Sequence, residues 1–172
     1  MLEKPLDLAK ARVLITNDDG LHAPGVKLLA RLMRPLVRDL WVVTPETEQS
    51  AAGHSLTLRR PLRVRKVSAR RYAVDGTPTD SVLLGINTVL KEQPPDLVLS
   101  GINRGANLGE DVTYSGTVSA AMEATLLGFP AIALSQVYGD HRKVKWATSE
   151  RHIVDVVRRL LARPWPRHVL MN

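Results

Sequence analysis

Residues 13–20 read Val-Leu-Ile-Thr-Asn-Asp-Asp-Gly, and this stretch is the most informative for the fold. An apolar run that ends in polar residues is typical of a strand buried on both faces of a parallel sheet. Asp18 and Asp19 follow directly, and two ionised carboxylates repel one another and lose hydration unless a cation lies between them. The stretch therefore predicts either a divalent cation at a strand end or a solvated Asp-Asp-Gly turn.

Strand-like and helix-like segments alternate along the rest of the chain. Pro24 suits the first turn of a helix, and Thr77-Pro78 with Asp80 suits an N-cap and the helix that follows it. Core strands that alternate with helices predict an α/β fold with a largely parallel sheet flanked by helices. The predicted strands are 12–16, 40–44, 96–100 and 131–135, with the start of another at 168–171; the predicted helices are 24–36, 77–90, 117–127 and 148–162; the predicted Gly- and Asn-rich loop is 101–114.

The positive charge is concentrated in one segment. The formal net charge is +7, and residues 59–71 hold seven basic residues and no acidic one, which leaves 17 basic and 17 acidic residues elsewhere. A basic β-hairpin over 57–66 and 71–74, protected from edge-to-edge association, explains this pattern. A surface for phosphates or polyanions is the alternative, but no aromatic side chains are interleaved for base stacking, so nucleic acid is not the expected partner. The apolar side chains expected to face inward are Leu62, Val64 and Val67.

The remaining composition narrows the class of protein. With 172 residues, 44% of them hydrophobic, the chain predicts a single α/β domain over 1–172. The absence of cysteine excludes disulfides, thiolate metal ligands and a cysteine nucleophile. No apolar run has the length of a signal-peptide core or a membrane span, so we expect a soluble, cytoplasmic protein without a membrane partner.

Polar side chains follow three of the predicted strands, at the point where each strand ends. Asp18 and Asp19 follow the first strand, Ser50 lies in the loop after the second, and Asn103 follows the third. Ligands of an open parallel sheet bind outside the carboxyl ends of its strands, so we expect these side chains to share one site. Oxygen ligands suit Mg²⁺ or Mn²⁺, and the histidines form no H-E-x-x-H motif that would favour zinc.

The segment Tyr114-Ser115-Gly116-Thr117-Val118 predicts an anion site beside this cation. Backbone N–H groups and hydroxyls at a helix N-terminus bind phosphate, although plain N-capping by Ser115 or Thr117 is the alternative. A cation, an anion site and a carboxylate fit hydrolysis of a phosphate ester, with Asp18 or Asp19 as base or nucleophile. The sequence has no G-x-x-x-x-G-K-[ST] loop, no G-x-G-x-x-G after the first strand and no D-x-D motif.

Five segments together resemble the SurE survival-protein family of metal-dependent 5′/3′-nucleotidases. They read L-I-T-N-D-D-G-L-H-A-P-G (14–25), V-V-T-P-E-T-E-Q-S-A-A-G-H-S-L-T (42–57), V-D-G-T-P-T-D-S-V (74–82), D-L-V-L-S-G-I-N-R-G-A-N-L-G (96–109) and Y-S-G-T-V-S-A-A-M-E-A (114–124). The resemblance implies a Rossmann-like fold, hydrolysis of nucleoside 5′- and 3′-monophosphates, and short polyphosphate as a further substrate. It also implies a divalent metal cation and a homodimer or tetramer.

The resemblance also implies roles for individual residues. The implied metal ligands are Asp18, Asp19, Ser50 and Asn103, which is the set that the strand ends predict. The implied phosphate-contacting residues are Asn107, Ser115, Gly116 and Thr117. His22 is interpreted as a surface-loop histidine, and His54, four residues after Ser50, has no partner nearby in sequence that would orient it towards the phosphate.

The competing hypothesis is a non-catalytic nucleotide- or nucleic-acid-binding module that uses the basic segment 59–71. Members of the resembled family continue well past the length of this chain, with a further strand and an arm that helps to join subunits. We therefore expect that the chain lacks its C-terminal part, with Met171-Asn172 as the start of that strand.

Overall fold

The computed structural model describes residues 4–139 and 143–172, with one sheet at its centre. Its strands are β1 (Arg12–Thr16), β2 (Asp39–Pro45), β3 (Val64–Ser68), β4 (Arg71–Val74), β5 (Leu97–Arg104) and β6 (Ala131–Gln136). They are arranged in the order β3-β4-β2-β1-β5-β6. β3 pairs antiparallel with β4, and the other pairings between these strands are parallel. The predicted α/β fold with a largely parallel sheet is confirmed.

Helices cover both faces of this sheet. The α-helices are α1 (Pro24–Met33), α2 (Pro78–Leu84), α3 (Asp111–Tyr114), α4 (Gly116–Leu126) and α5 (Trp146–Leu161). Val13 and Ile15 of β1 pack with residues of α1 and α5, whereas Leu14 packs with residues of α2 and α4. Because side chains alternate along a strand, the continuous apolar run of β1 supplies both cores. Within the described ranges, no helix is long and apolar enough to cross a membrane.

The chain builds the sheet in opposite directions from β1. β2 and β4 lie on one side of β1, and β5 and β6 lie on the other. In doubly wound sheets, the strand ends at such a reversal diverge and leave a crevice for a ligand. The segments after β1 and at the end of β5 therefore border the place where this fold class binds its ligands.

Most predicted elements agree with the observed bounds, and β1 agrees to the residue. The third predicted strand is longer than expected, because β5 continues to Arg104 and takes up the first part of the predicted loop at 101–114. The helix predicted at 77–90 is α2 followed by a π-helical segment, Gly85–Val89. The strand predicted at 168–171 is largely wrong: His168 has a positive φ of 56°, and the residue that pairs is Met171, by a bridge to Ile132.

The first turn of α2 carries the predicted cap. The Thr77 hydroxyl accepts a hydrogen bond from the backbone N–H of Asp80 at 3.0 Å, and the Thr77 N–H donates to Asp80 Oδ2 at 2.9 Å. The Asp80 carboxylate also accepts from the backbone N–H and the hydroxyl of Thr57, at 3.1 and 2.7 Å. This buried carboxylate therefore caps a helix and fastens part of the long loop between β2 and β3.

A hairpin forms where the basic segment predicts one, with β3 at the edge of the sheet. Its second strand matches the predicted 71–74, but its first strand is Val64–Ser68, so the predicted bounds 57–66 are wrong and residues 57–63 belong to the preceding loop. Val64 packs against the core, but Val67 is 40% exposed, so its predicted inward direction is wrong. The register of the hairpin shifts between Lys66 and Ser68, and such an irregularity changes the face to which a side chain points. Three arginines of the basic segment pair with acidic residues: Arg60 with Asp75, Arg65 with Glu46 and Arg70 with Asp39.

Candidate active site

A cleft of about 630 Å³ lies at the crevice between the ends of β1 and β5. Six of the eight site residues predicted from the sequence line it: Asp18, Asp19, Ser50, Asn103, Asn107 and Ser115. They come from four separate parts of the chain, namely the β1 end, the loop after β2, the β5 end with the loop that follows, and the start of α4. The fold therefore gathers the predicted ligand set at one place.

Asp18 is the most enclosed carboxylate of the cleft, with 6% of the residue exposed. Its Oδ1 accepts a hydrogen bond from the Thr117 hydroxyl of α4. Burial raises the pKa of Asp18, and the hydrogen bond from Thr117 opposes that effect only in part. The residue that packs against Asp18 at position 116 must be a glycine, because a Cβ there would lie 2.7 Å from Asp18 Cβ. Gly116 and Thr117 thus support Asp18 from below instead of lining the cleft.

Asp19 is half-buried and lies beside Asp18. Burial and the negative charge of Asp18 raise the pKa of Asp19 to about 6, although the Arg104 backbone and side chain act in the opposite direction. The charged forms of these two adjacent carboxylates are disfavoured in the protein alone. A bound divalent cation would stabilise both charged forms. The donor set of two carboxylates, a hydroxyl and an amide therefore fits Mg²⁺ or Mn²⁺. In the described part of the chain, no group of three or more His, Cys, Asp or Glu side chains is arranged for a metal ion.

The Ser50 loop (residues 46–63) forms one wall of the cleft. The Ser50 hydroxyl donates to Glu48 Oε1 at 2.7 Å, so both side chains are placed together at the cleft. The backbone N–H of Gln49 donates to the carbonyl of Asp18 at 2.8 Å. This bond joins the loop directly to the segment that carries the two aspartates.

The opposite wall is formed by the end of β5 and the residues after it. Asn103 Nδ2 donates to the Gly105 carbonyl at 3.2 Å, and Asn107 Nδ2 donates to Ser135 Oγ at 2.8 Å. These bonds fix the orientation of both amides at the cleft. Gly105 has a φ of 127°, a region that favours glycine, so the tight turn after Asn103 depends on it.

Ser115 closes the cleft at the start of α4. Its hydroxyl accepts from the backbone N–H of Val118 at 3.1 Å, which is the N-capping arrangement considered for the sequence. Ser115 nevertheless lines the cleft as well. The positive end of an 11-residue helix therefore lies next to the paired aspartates.

Sequence reasoning missed several residues of the cleft. Glu48 lies two residues before the predicted Ser50, and Arg104 directly follows the predicted Asn103. Their charge and their closeness in sequence to predicted ligands could have identified both as residues of the cleft. The other polar lining side chains that were missed are Asp111, Tyr114 and Tyr138. The Arg104 guanidinium lies 5.9 Å from the centre of the Tyr138 ring, a cation–π distance.

A second cavity of about 500 Å³ shares Asp19, Glu48 and Arg104 with this cleft. Its far side is mainly apolar and includes Pro24 and Trp146. The three shared charged residues thus separate a polar cleft from a more apolar one.

The two histidines considered from the sequence are away from the cleft lining. His22 is exposed after β1, as expected. His54 has a partner that the sequence did not reveal: its Nε2 lies 2.8 Å from Glu123 Oε2 of α4.

The topology and the cleft define the class of protein: a doubly wound α/β domain with an acidic cleft at its switch point. The family model described as "Survival protein SurE" matches residues 13–172, and the chain belongs to this family.

Named relatives agree with this family. The chain is 72% identical over 166 residues to the 5′-nucleotidase SurE of Paramagnetospirillum magneticum, covering 96% of this chain and 64% of that protein. It is 56% identical over 163 residues to the 5′-nucleotidase SurE of Parvibaculum lavamentivorans, covering 94% of this chain and 59% of that protein. The crystal structure of SurE from Aquifex aeolicus superposes with a TM-score of 0.83 at 44% identity, covering 91% and 62% of the respective chains. The chain thus spans about three-fifths of the length of these relatives.

Proposed function

We propose that this chain carries the catalytic centre of a phosphomonoesterase that hydrolyses nucleoside 5′-monophosphates to nucleoside and phosphate. The observation that carries the proposal is the meeting of Asp18, Asp19, Ser50 and Asn103 in one cleft at the switch point of the sheet. The names of the relatives, 5′-nucleotidase SurE, support the same reaction. The sequence resemblance extends the proposal to 3′-monophosphates and to short polyphosphate.

The proposed reaction depends on a divalent cation, Mg²⁺ or Mn²⁺. Asp18, Asp19, Ser50 and Asn103 would hold it, because they supply the oxygen donors such an ion prefers. When bound, the cation would polarise the phosphoryl group and offset its negative charge. It would also stabilise the ionised forms of the two aspartates.

Different side chains around the cleft would bind the phosphate, accept a proton and position Asp18. The N-terminus of α4, Ser115 and Asn107 would bind the phosphate oxygens and orient the ester. Asp19 is less buried than Asp18 and lies between both cavities, so its carboxylate is the better placed to accept a proton from the attacking water. Thr117 holds Asp18 in place during this step.

The second cavity would receive the nucleoside. Its apolar side and Trp146 offer a surface for a base, while the shared Asp19, Glu48 and Arg104 lie towards the phosphate. Trp146→Ala should therefore raise KM for AMP about tenfold, the scale of one stacking contact. KM for ribose 5-phosphate, which lacks a base, should stay unchanged in the same variant, and an equal rise for both substrates would contradict this placement.

The central test is phosphate release from AMP with Mg²⁺, with Mn²⁺ and after EDTA treatment. We expect activity only with a divalent cation, and a loss of at least about a hundredfold in Asp19→Asn, the scale of removing one catalytic group. Asp155→Asn, an exposed aspartate of α5, is the matched control and should retain full activity. Release that persists after EDTA treatment or in Asp19→Asn would contradict the proposal.

A homodimer or tetramer in the cytoplasm is also proposed, on the sequence resemblance. Light scattering coupled to size-exclusion chromatography measures the assembly directly. A mass corresponding to one 19.0 kDa chain at micromolar concentration would contradict the oligomer for this chain.

A further inference from the structure

The Ser50 loop is long and irregular, yet it carries two polar side chains of the cleft, Glu48 and Ser50. Loops of this length are ordinarily among the more mobile parts of a fold. A site residue must nevertheless be positioned to within a fraction of an ångström for efficient chemistry. The contacts that fix this loop are therefore part of what makes the site work.

The loop is fastened at both ends of its site-bearing part. The Gln49 N–H binds the Asp18 carbonyl at 2.8 Å on the near side. On the far side, Thr57 binds the Asp80 carboxylate, and the carbonyl of Ser55 accepts from the Thr77 hydroxyl at 2.7 Å. Both far-side contacts are made with the N-terminal cap of α2. They therefore do not fix the position of the loop relative to α4, the helix that lies beneath the site.

The contact of His54 with Glu123 fixes the position of the loop relative to α4. His54 Nε2 and Glu123 Oε2 lie 2.8 Å apart, and the side chains are 30% and 11% exposed respectively. Glu123 belongs to α4, whose Val118, Ala120, Ala121 and Ala124 are fully buried in the core. A largely buried carboxylate on a rigid helix is a stable anchor, and leaving it unpaired is costly.

The same helix also supports Asp18 through Thr117 and Gly116. Thr117 and Glu123 lie six residues apart, or roughly 9 Å along a helix axis. α4 is therefore in contact both with Asp18 and with the loop that carries Ser50. A shift of the loop relative to α4 would change the distance between the proposed ligands on the two sides of the cleft.

We propose that His54 and Glu123 are positioning residues, a clamp that sets the place of Ser50 and Glu48 relative to Asp18 and Asp19. The proposal rests on the proposed function, because positioning matters only if these side chains bind the cation and the phosphate ester. Neither clamp residue lines the cleft itself, so the clamp acts through the loop.

The test compares His54→Ala and Glu123→Ala with Glu123→Gln, which keeps a side chain able to bond to His54. In both alanine variants, backbone hydrogen exchange of residues 46–57 should accelerate, and Mn²⁺ binding without substrate, followed by electron paramagnetic resonance, should weaken. In the presence of Mn²⁺, kcat/KM for AMP should fall about tenfold, the scale of one charge-assisted hydrogen bond. In Glu123→Gln, the exchange rate, the Mn²⁺ affinity and kcat/KM should all lie closer to the wild-type values than they do in Glu123→Ala.

His152→Ala is the matched control, because His152 is an exposed histidine on α5. Wild-type exchange and wild-type Mn²⁺ affinity in both alanine variants would overturn the clamp. An activity loss that Glu123→Gln fails to restore would also overturn it. A wild-type chain that binds Mn²⁺ but releases no phosphate from AMP would refute the proposed function instead, while exchange and Mn²⁺ affinity would still decide on the clamp.

Discussion

Two residues, Thr117 and Gly116, determine how Asp18 is placed in the cleft. Thr117 donates a hydrogen bond to its carboxylate, Gly116 leaves room for it, and burial raises its pKa. Both contacts come from the first turn of α4, where the helix dipole favours a negative charge. The electrostatic state of Asp18 is therefore controlled by the start of one helix.

Thr117→Val should weaken this support without changing the shape of the side chain greatly. We expect the free energy of unfolding to fall by about 2 kcal/mol, since a buried acceptor loses its donor. Urea unfolding measures this change. Thr117→Ser keeps a hydroxyl and is the matched variant, so equal losses in both variants would show that the hydrogen bond is not the cause.

Gly116→Ala sets two effects of opposite sign against each other. Alanine is favoured over glycine in helices by about 1 kcal/mol. The added methyl group would lie 2.7 Å from Asp18 Cβ and 3.1 Å from Pro78 Cγ, and overpacking of this kind costs about 1–3 kcal/mol. We expect net destabilisation in urea, together with reduced AMP hydrolysis. Gly139→Ala, where no atom of the described residues lies within 4 Å of the added group, is the control, and a more stable Gly116→Ala would contradict the expectation.

At the scale of elements, Asp39 joins the starts of β1 and β2 to the hairpin. Its carboxylate pairs with Arg12 at 3.3 Å, Arg38 at 3.2 Å and Arg70 at 2.8 Å. Burial alone would raise the pKa of Asp39, but the hydrogen bond from Arg38 and the charges of Arg70 and Arg12 outweigh it, so its pKa is lowered. One carboxylate thus stabilises three segments of the sheet at the end opposite the cleft.

This lowered pKa predicts a pH dependence of stability. Because the folded form holds the Asp39 proton less tightly than the unfolded form, the contribution is present above about pH 4 and is lost as the pH falls through the folded pKa. The stability difference between wild type and Asp39→Asn should therefore be largest near neutral pH and shrink towards pH 2, as followed by urea unfolding. A difference that stays constant over this range would contradict the assignment; Asp155→Asn serves as the control.

The elements themselves were largely readable from local sequence patterns. The apolar run of β1, the cap at Thr77 and the apolar face of α5 each depend on residues close together in the chain. The direction of Val67 and the end of β5 were not readable. Both depend on pairing with a neighbouring strand, and both pairings contain a register shift.

At the scale of the whole molecule, the excess positive charge lies in and next to the edge hairpin, and none of the basic residues of segment 59–71 lines the cleft. Three of its arginines are paired with Asp75, Glu46 and Asp39. Partial neutralisation of this kind, at an exposed edge strand, is typical of protection against association of sheets. Trp41 and Tyr72 stack beside the hairpin, with Arg70 over the Trp41 ring, but both aromatic side chains pack against the core. They therefore do not form the open stacking surface that binds single strands.

We therefore expect a fluorescent single-stranded oligonucleotide to bind weakly at low salt and not at physiological salt. Fluorescence anisotropy over a salt series measures this dependence. Charge reversal at Arg59 and Lys66, which are exposed, should abolish the low-salt binding without changing AMP hydrolysis. Tight binding that persists at physiological salt would instead favour the nucleic-acid-binding alternative.

The sequence by itself determined the α/β class, most elements and six of the residues that line the cleft, because strand ends in a parallel sheet follow from short local patterns. Only the tertiary structure decided which partners these residues have. Thr117 binds Asp18 across 99 residues of sequence, and His54 meets Glu123 across 69. Such pairs arise from the packing of α4 against the sheet and the Ser50 loop. No local pattern encodes them, since they depend on where whole elements come to rest.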